Sequence, residues 1–122
     1  MQIGELAERV GLSLHTVRHY DEIGLVQPSR RSEGGFRLYS QEDLARFLLI
    51  KPMKPLGFSL EEMRALLDAV DALPASAGAE REALLAQLRA FITTATERRE
   101  KIASNLAMAD DFIADLRERG PA

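Results

Sequence analysis

Cysteine and tryptophan are absent from this 122-residue chain. Without a thiol there can be no disulfide, no thiolate metal site, no cysteine-held iron–sulfur cluster and no thiol redox sensor. A cytosolic setting fits that lack. Long apolar runs are missing too. Stretches such as Phe47–Ile50 fall far short of the roughly 20 residues that span a bilayer. The N-terminus, MQIGELAERVG, has no basic start followed by an apolar core, so it does not read as a signal peptide. A soluble, cytoplasmic protein with no membrane partner is expected. Nucleophile–base pairs, metal-ligand sets and Gly-rich phosphate loops are also lacking, which argues against an enzyme and against a cofactor.

What the chain does have is apolar content. Hydrophobic residues make up 46%, enough for a packed core. The length suits one compact domain plus an extension. The net charge of −3 at first argues against a nucleic-acid partner. Distribution matters more than the sum. Arg9, Arg18, Arg30, Arg31 and Arg37 face only Asp21, Glu22 and Glu33 between residues 9 and 37, with His15 and His19 able to add charge. A basic face can therefore exist on an acidic protein, although an ordinary mixed surface would have the same composition.

Residues 3–39 supply the pattern that charge alone does not. Ile3, Leu6, Ala7 and Val10 recur at helical spacing, and Gly11 follows where a helix end favours positive φ. Ser13 reads as the N-cap of a second helix, with Leu14, Val17 and Ile23 on its buried side. Ala7, Gly11 and Val17 suit two short helices packed at a steep angle. In such a unit the second helix enters the major groove. Arg18 then pairs with guanine or phosphate. Thr16 and Tyr20 offer hydroxyls to phosphate, and His15 and His19 lie on the same outward side. Pro28, Arg30-Arg31, Gly34-Gly35 and Phe36-Arg37-Leu38-Tyr39 follow. They read as a two-stranded wing with arginine on both arms, gripping the backbone beside the recognition helix. A helix pair and hairpin serving only as scaffold is the bland alternative.

The segments IGELAERVGLS, TVRHYDEIGLV, GGFRLYS and LGFSLEEMRALL resemble the MerR family of bacterial transcription regulators. The resemblance runs from residue 2 to about 70, and the helix beyond also fits. It implies a mainly α fold: a winged helix-turn-helix head, a second helix pair and a long C-terminal helix pairing as an antiparallel coiled coil. It also implies a homodimer on a palindromic operator in double-stranded promoter DNA, distorting the spacer so that RNA polymerase is affected indirectly. By position it assigns Arg18 and Tyr20 to the recognition helix and Arg37 and Tyr39 to the wing. His19 stands where the family more often has Tyr.

In the second helix pair, Ser40 and Asp43 form a capping-box signature, as do Ser59 and Glu62. Between them Pro52 and Pro55 should end the first helix near Ile50 or Lys51, a departure from the family that leaves either a reshaped loop or a kinked helix. Lys51 and Lys54 retain the means to reach the DNA backbone. Leu60, Met63, Leu66, Leu67 and Val70 form the apolar face of the next helix. The expected divisions are a head at 1–71, a linker at 72–79, a coiled-coil helix at 80–118 and a tail at 119–122.

From Glu80 to Glu118 there is neither Pro nor Gly. Leu85, Leu88, Ile92, Ala95, Ile102, Leu106, Ala109, Ile113 and Leu116 repeat in steps of three and four, with Arg99 the one break. Such a seam needs a partner helix, and a second copy of the chain is the expected one. Folding back onto the head would cover only its first turns.

Metal sensors of this family use cysteine at the start of the dimer helix, where this chain has Ala75-Ser76-Ala77-Gly78. His15 and His19 are spaced as a two-ligand pair but lie on the presumed DNA face, so no metal is expected there. Asp110, Asp111 and Asp115 read as a solvated face. The sequence runs to Ala122, and no large effector domain of the kind ligand-sensing relatives carry is expected. A small-molecule effector, if there is one, is unknown; it would sit near Phe58, Leu67, Phe91 and Phe112. The competing readings are an architectural, excisionase-like DNA-bending protein and a coiled-coil interaction protein.

Overall fold

The computed structural model describes residues 1–120; Pro121 and Ala122, in the expected tail, lie outside the described residues. The chain divides into two units, Met1–Ala75 and the segment from Ser76 onward.

The first unit opens with helices α1, Ile3–Val10, and α2, Leu14–Glu22. Leu6, Ala7 and Val10 are the buried stripe of α1. Gly11 ends it at φ 77°, in the left-handed region that glycine enters at little cost. Ser13 caps α2 as expected, its Oγ accepting from the Thr16 N–H at 3.0 Å. At the other end the Leu25 N–H donates to the Tyr20 carbonyl and the Gly24 N–H to that of Asp21, closing the last turn. The buried face of α2 is Val17, Tyr20 and Asp21. This corrects the expected face: Leu14, in the first turn, is 42% exposed, and Ile23 is half-buried.

The wing is a two-stranded antiparallel sheet, β1 Arg30–Arg31 and β2 Arg37–Leu38. Arg30 faces Leu38 and Arg31 faces Arg37. Past Leu38 the ladder stops, and the Tyr39 N–H donates to the Met1 carbonyl at 2.7 Å.

Helix α3, Gln41–Ile50, and helix α4, Leu60–Ala72, both begin with complete capping boxes, Ser40 with Asp43 and Ser59 with Glu62. The Pro52–Pro55 segment ends α3 at Ile50 and forms consecutive turns rather than a kinked helix. Its Met53 and the following Phe58 are buried. Helix α4 buries Met63, Leu67 and Ala69, whereas Leu60 stays exposed and Leu66 and Val70 are half-buried. The centre of the unit is Phe47, fully buried, stacked on Tyr20 at 6.2 Å between ring centroids and edge-on to Tyr39 at 6.0 Å.

A 3-10 turn, Leu73–Ala75, follows α4. The second unit is one helix, α5, Gly78–Arg119. It starts two residues before the expected Glu80 and contains no buried residue. Leu85, Leu88 and Ala95 are half-buried; Ile92, Ile102, Leu106, Ala109, Ile113 and Leu116 are exposed. Met108 and Phe112, which the spacing argument left out, are exposed as well and widen the apolar stripe.

Candidate nucleic-acid interface

Helix α2 turns His15, Arg18 and His19 outward, all exposed. The two imidazoles lie nearly parallel, 6.5 Å apart. Arg18 has no side-chain hydrogen bond or ion pair among the described residues, so its guanidinium is available to a ligand. Thr16 is half-buried, its hydroxyl 2.9 Å from that of Ser13, and so shares in the helix cap.

Two expected contact residues belong to the core instead. Tyr39 is 2% exposed, and its hydroxyl is buried without a partner. Tyr20 is 5% exposed, its ring against Phe47. The physical reason is register. Tyr39 lies two residues after Arg37, on the side of the strand that meets α2 and Phe47, while Phe36 at the wing tip is left 67% exposed. Tyr20 falls three residues after the fully buried Val17, on the inner face of α2. Burial raises both phenols above their ordinary range, so each stays neutral.

Between α2 and the wing lies a group that the sequence reading counted only as an opposing charge. Asp21 is 5% exposed. Its Oδ2 accepts from Arg31 Nη2 at 2.8 Å and from Arg37 Nε at 2.6 Å. The hydrogen bond to Asp21 raises the Arg37 guanidinium further above its ordinary value. Arg30, on the same strand as Arg31, is exposed and has no such partner among the described residues.

A second buried carboxylate fixes the base of the wing. Asp43 Oδ2 accepts from the Ser29 N–H at 3.0 Å, the Ser29 hydroxyl at 2.7 Å and the Ser40 N–H at 2.9 Å. Residues on either side of the hairpin are thus tied to one side chain. The capping box with Ser40 pointed to Asp43, and helical periodicity was the signal for burial of both acids. Asp21 is four residues after Val17, and Asp43 is four before Phe47, each on a buried helical face.

The lysines before and between the prolines separate. Lys51 is exposed, and its Nζ donates to the Val10 carbonyl at 2.7 Å at the end of α1. Lys54 is exposed and lines, with His19, Tyr20 and Phe58, a cleft of about 280 Å³ beside the recognition helix. Arg64, on α4, donates to the carbonyls of Ile23 at 2.8 Å and Gly24 at 2.9 Å, closing the end of α2. Among the described residues no group of three or more metal-ligating side chains comes together, and no helix is long and apolar enough to cross a membrane.

Residues 1–70 match the family described as "MerR HTH family regulatory protein", and residues 44–109 match "MerR, DNA binding". The mercuric resistance operon regulatory protein of Bacillus cereus is 34% identical over 120 residues, covering 98% of this chain and 85% of that protein. The nodulation protein NolA of Bradyrhizobium elkanii is 40% identical over 72 residues, or 59% of this chain and 33% of its own length. The chain thus spans most of the first relative but only about a third of the second. Among solved structures, a MerR family transcriptional regulator from Listeria monocytogenes superposes with a TM-score of 0.73 at 27% identity, covering 96% of this chain and 86% of that one.

Proposed function

This chain belongs to the MerR family of helix-turn-helix regulatory proteins, and from that premise we propose that it acts as a homodimer on a palindromic promoter operator, which it distorts to control transcription. The observation that carries this reading is the side of α2 bearing His15, Arg18 and His19, set beside a wing whose Arg31 and Arg37 are tied to the same helix through Asp21. Phosphate contacts from the wing fix register, and Arg18, with the histidines, supplies base or phosphate contact. Arg30 and Lys54 add charge at the edges. Tyr20, Tyr39 and Thr16 act from behind, as the packing and the cap that hold these groups.

A single helix-turn-helix covers only a few base pairs. Two copies joined through the exposed stripe of α5 would contact two half-sites, with the second contact made at high effective concentration. RNA polymerase would feel the protein through the shape of the promoter. The family is one of transcription regulators rather than enzymes.

Footprinting the purified protein on the promoters of its own and neighbouring genes, over a salt series, tests the reading. A symmetric footprint between promoter elements that weakens steeply with salt is expected. Weak, unpatterned binding would count against a regulator and favour a DNA-bending or interaction role. Within that assay Arg18→Ala should lower operator affinity by about 1–3 kcal/mol if it reads a base. Affinity equal to the unmodified protein would remove Arg18 from the interface.

A further inference from the structure

We infer that Asp21 is a positioning residue for DNA binding: a buried acid on the recognition helix that holds the wing arginines ready to meet phosphate. The inference rests on the DNA-binding reading above and adds to it a residue whose charge has the wrong sign for the ligand.

The geometry assigns this role. One oxygen, Asp21 Oδ2, takes hydrogen bonds from both arms of the hairpin, Arg31 Nη2 at 2.8 Å and Arg37 Nε at 2.6 Å. Asp21 itself is almost wholly buried, while the Arg31 side chain is 47% and the Arg37 side chain 24% exposed. The carboxylate therefore lies behind the guanidiniums. Arg37 engages Asp21 through Nε, which leaves both of its terminal amino groups for a second acceptor. Arg31 engages through one terminal nitrogen and places the other 3.5 Å from the Gly35 carbonyl at the hairpin turn. Two long cationic side chains that would otherwise sample many rotamers are thereby held near α2. Ordering them before the ligand arrives removes a cost that binding would otherwise bear. Because Asp21 is part of α2, the spacing between wing and recognition helix is set at the same point.

Simple charge counting makes the opposite prediction. Deleting an acid next to a polyanion should tighten binding, since the unmodified carboxylate repels phosphate and occupies two cations. The test is Asp21→Asn, titrated at several salt concentrations against the footprinted promoter duplex and a random duplex of equal length, with melting curves for each protein. Positioning predicts a loss of about 10-fold or more, with a log–log salt slope shallower by roughly 1 to 2, as one or two phosphate contacts are lost at about 0.9 each. A purely structural role would lower the melting temperature and leave that slope alone. In an Arg31→Ala, Arg37→Ala background, Asp21→Asn should cause no further loss.

Equal or tighter binding by Asp21→Asn with an unchanged slope would overturn the inference, as would an additive loss in the double-arginine background. Should Asp21→Asn prove too unstable to titrate, Arg37→Lys decides. It keeps the charge, but all three of its donors sit on one nitrogen, so it cannot offer Asp21 one edge and a phosphate a planar pair on another; a loss of about 10-fold is expected and unchanged affinity would refute the role. Failure of the unmodified protein to bind either duplex would instead overturn the DNA reading itself, and this inference with it.

Discussion

Phe47→Ala should destabilise the head by about 3–5 kcal/mol, the range for emptying a fully buried aromatic site. Phe47 is 0% exposed and meets both Tyr20 and Tyr39 ring to ring. The head is small. For the 75 residues of Met1–Ala75, typical stabilities of 0.05–0.15 kcal/mol per residue amount to about 4–11 kcal/mol. The substitution would consume a large part of that margin. Its effect on function should follow from the same contacts, because Tyr20 belongs to the recognition helix and Tyr39 immediately follows the wing. Urea unfolding followed by circular dichroism measures the change. A loss under about 1 kcal/mol would mean that the core closes around the missing ring and that the two tyrosines are held by other contacts.

Ile102→Asp should abolish the proposed dimer. Ile102 lies near the middle of α5 and is 52% exposed in the single chain, within a stripe that continues through Leu106, Ile113 and Leu116. If a second copy covers that stripe, a carboxylate at position 102 would be buried without a partner, a cost the helix pair avoids by separating. Sedimentation should show monomers at concentrations where the unmodified protein is dimeric. Operator affinity should fall by about 10²–10⁴-fold as the linkage between two half-site contacts disappears. A dimer that survives would place the contact elsewhere on the helix, with the flanking Met108 and Phe112 the first positions to test.

Much of this architecture was legible in the residues. Gly11, Ser13, Ser40 and Ser59 mark helix ends by their own backbone and side-chain chemistry, and each does so in the fold. Pro52 stops α3 where a residue without an N–H must. What a one-dimensional reading missed is the direction of individual side chains. Tyr20 and Tyr39 have the chemistry of phosphate ligands, yet a tyrosine also fills a core, and only register decides between the two. A pairing register shifted by one residue would have turned Tyr39 the other way. Asp21, and the tie from Asp43 to Ser29 beyond its capping box, were hidden for a different reason. Acids are seldom buried unless paired, and their partners stand 10 to 16 positions further along the chain for Asp21 and 14 positions back for Ser29 with Asp43. Such pairings are visible only once the chain has closed on itself.

The cations at the two helix ends have a mechanical consequence. Lys51 clasps the last carbonyl of α1, and Arg64 clasps the end of α2 from forty positions away. Neither helix of the reading pair can swing on its own turn without breaking a bond to the helices behind it. Torque applied at α2 is therefore shared with α4, and a load on α1 with the end of α3. If α2 lies against a duplex as proposed, a load placed on it would reach α4 through Arg64 before α2 could move alone.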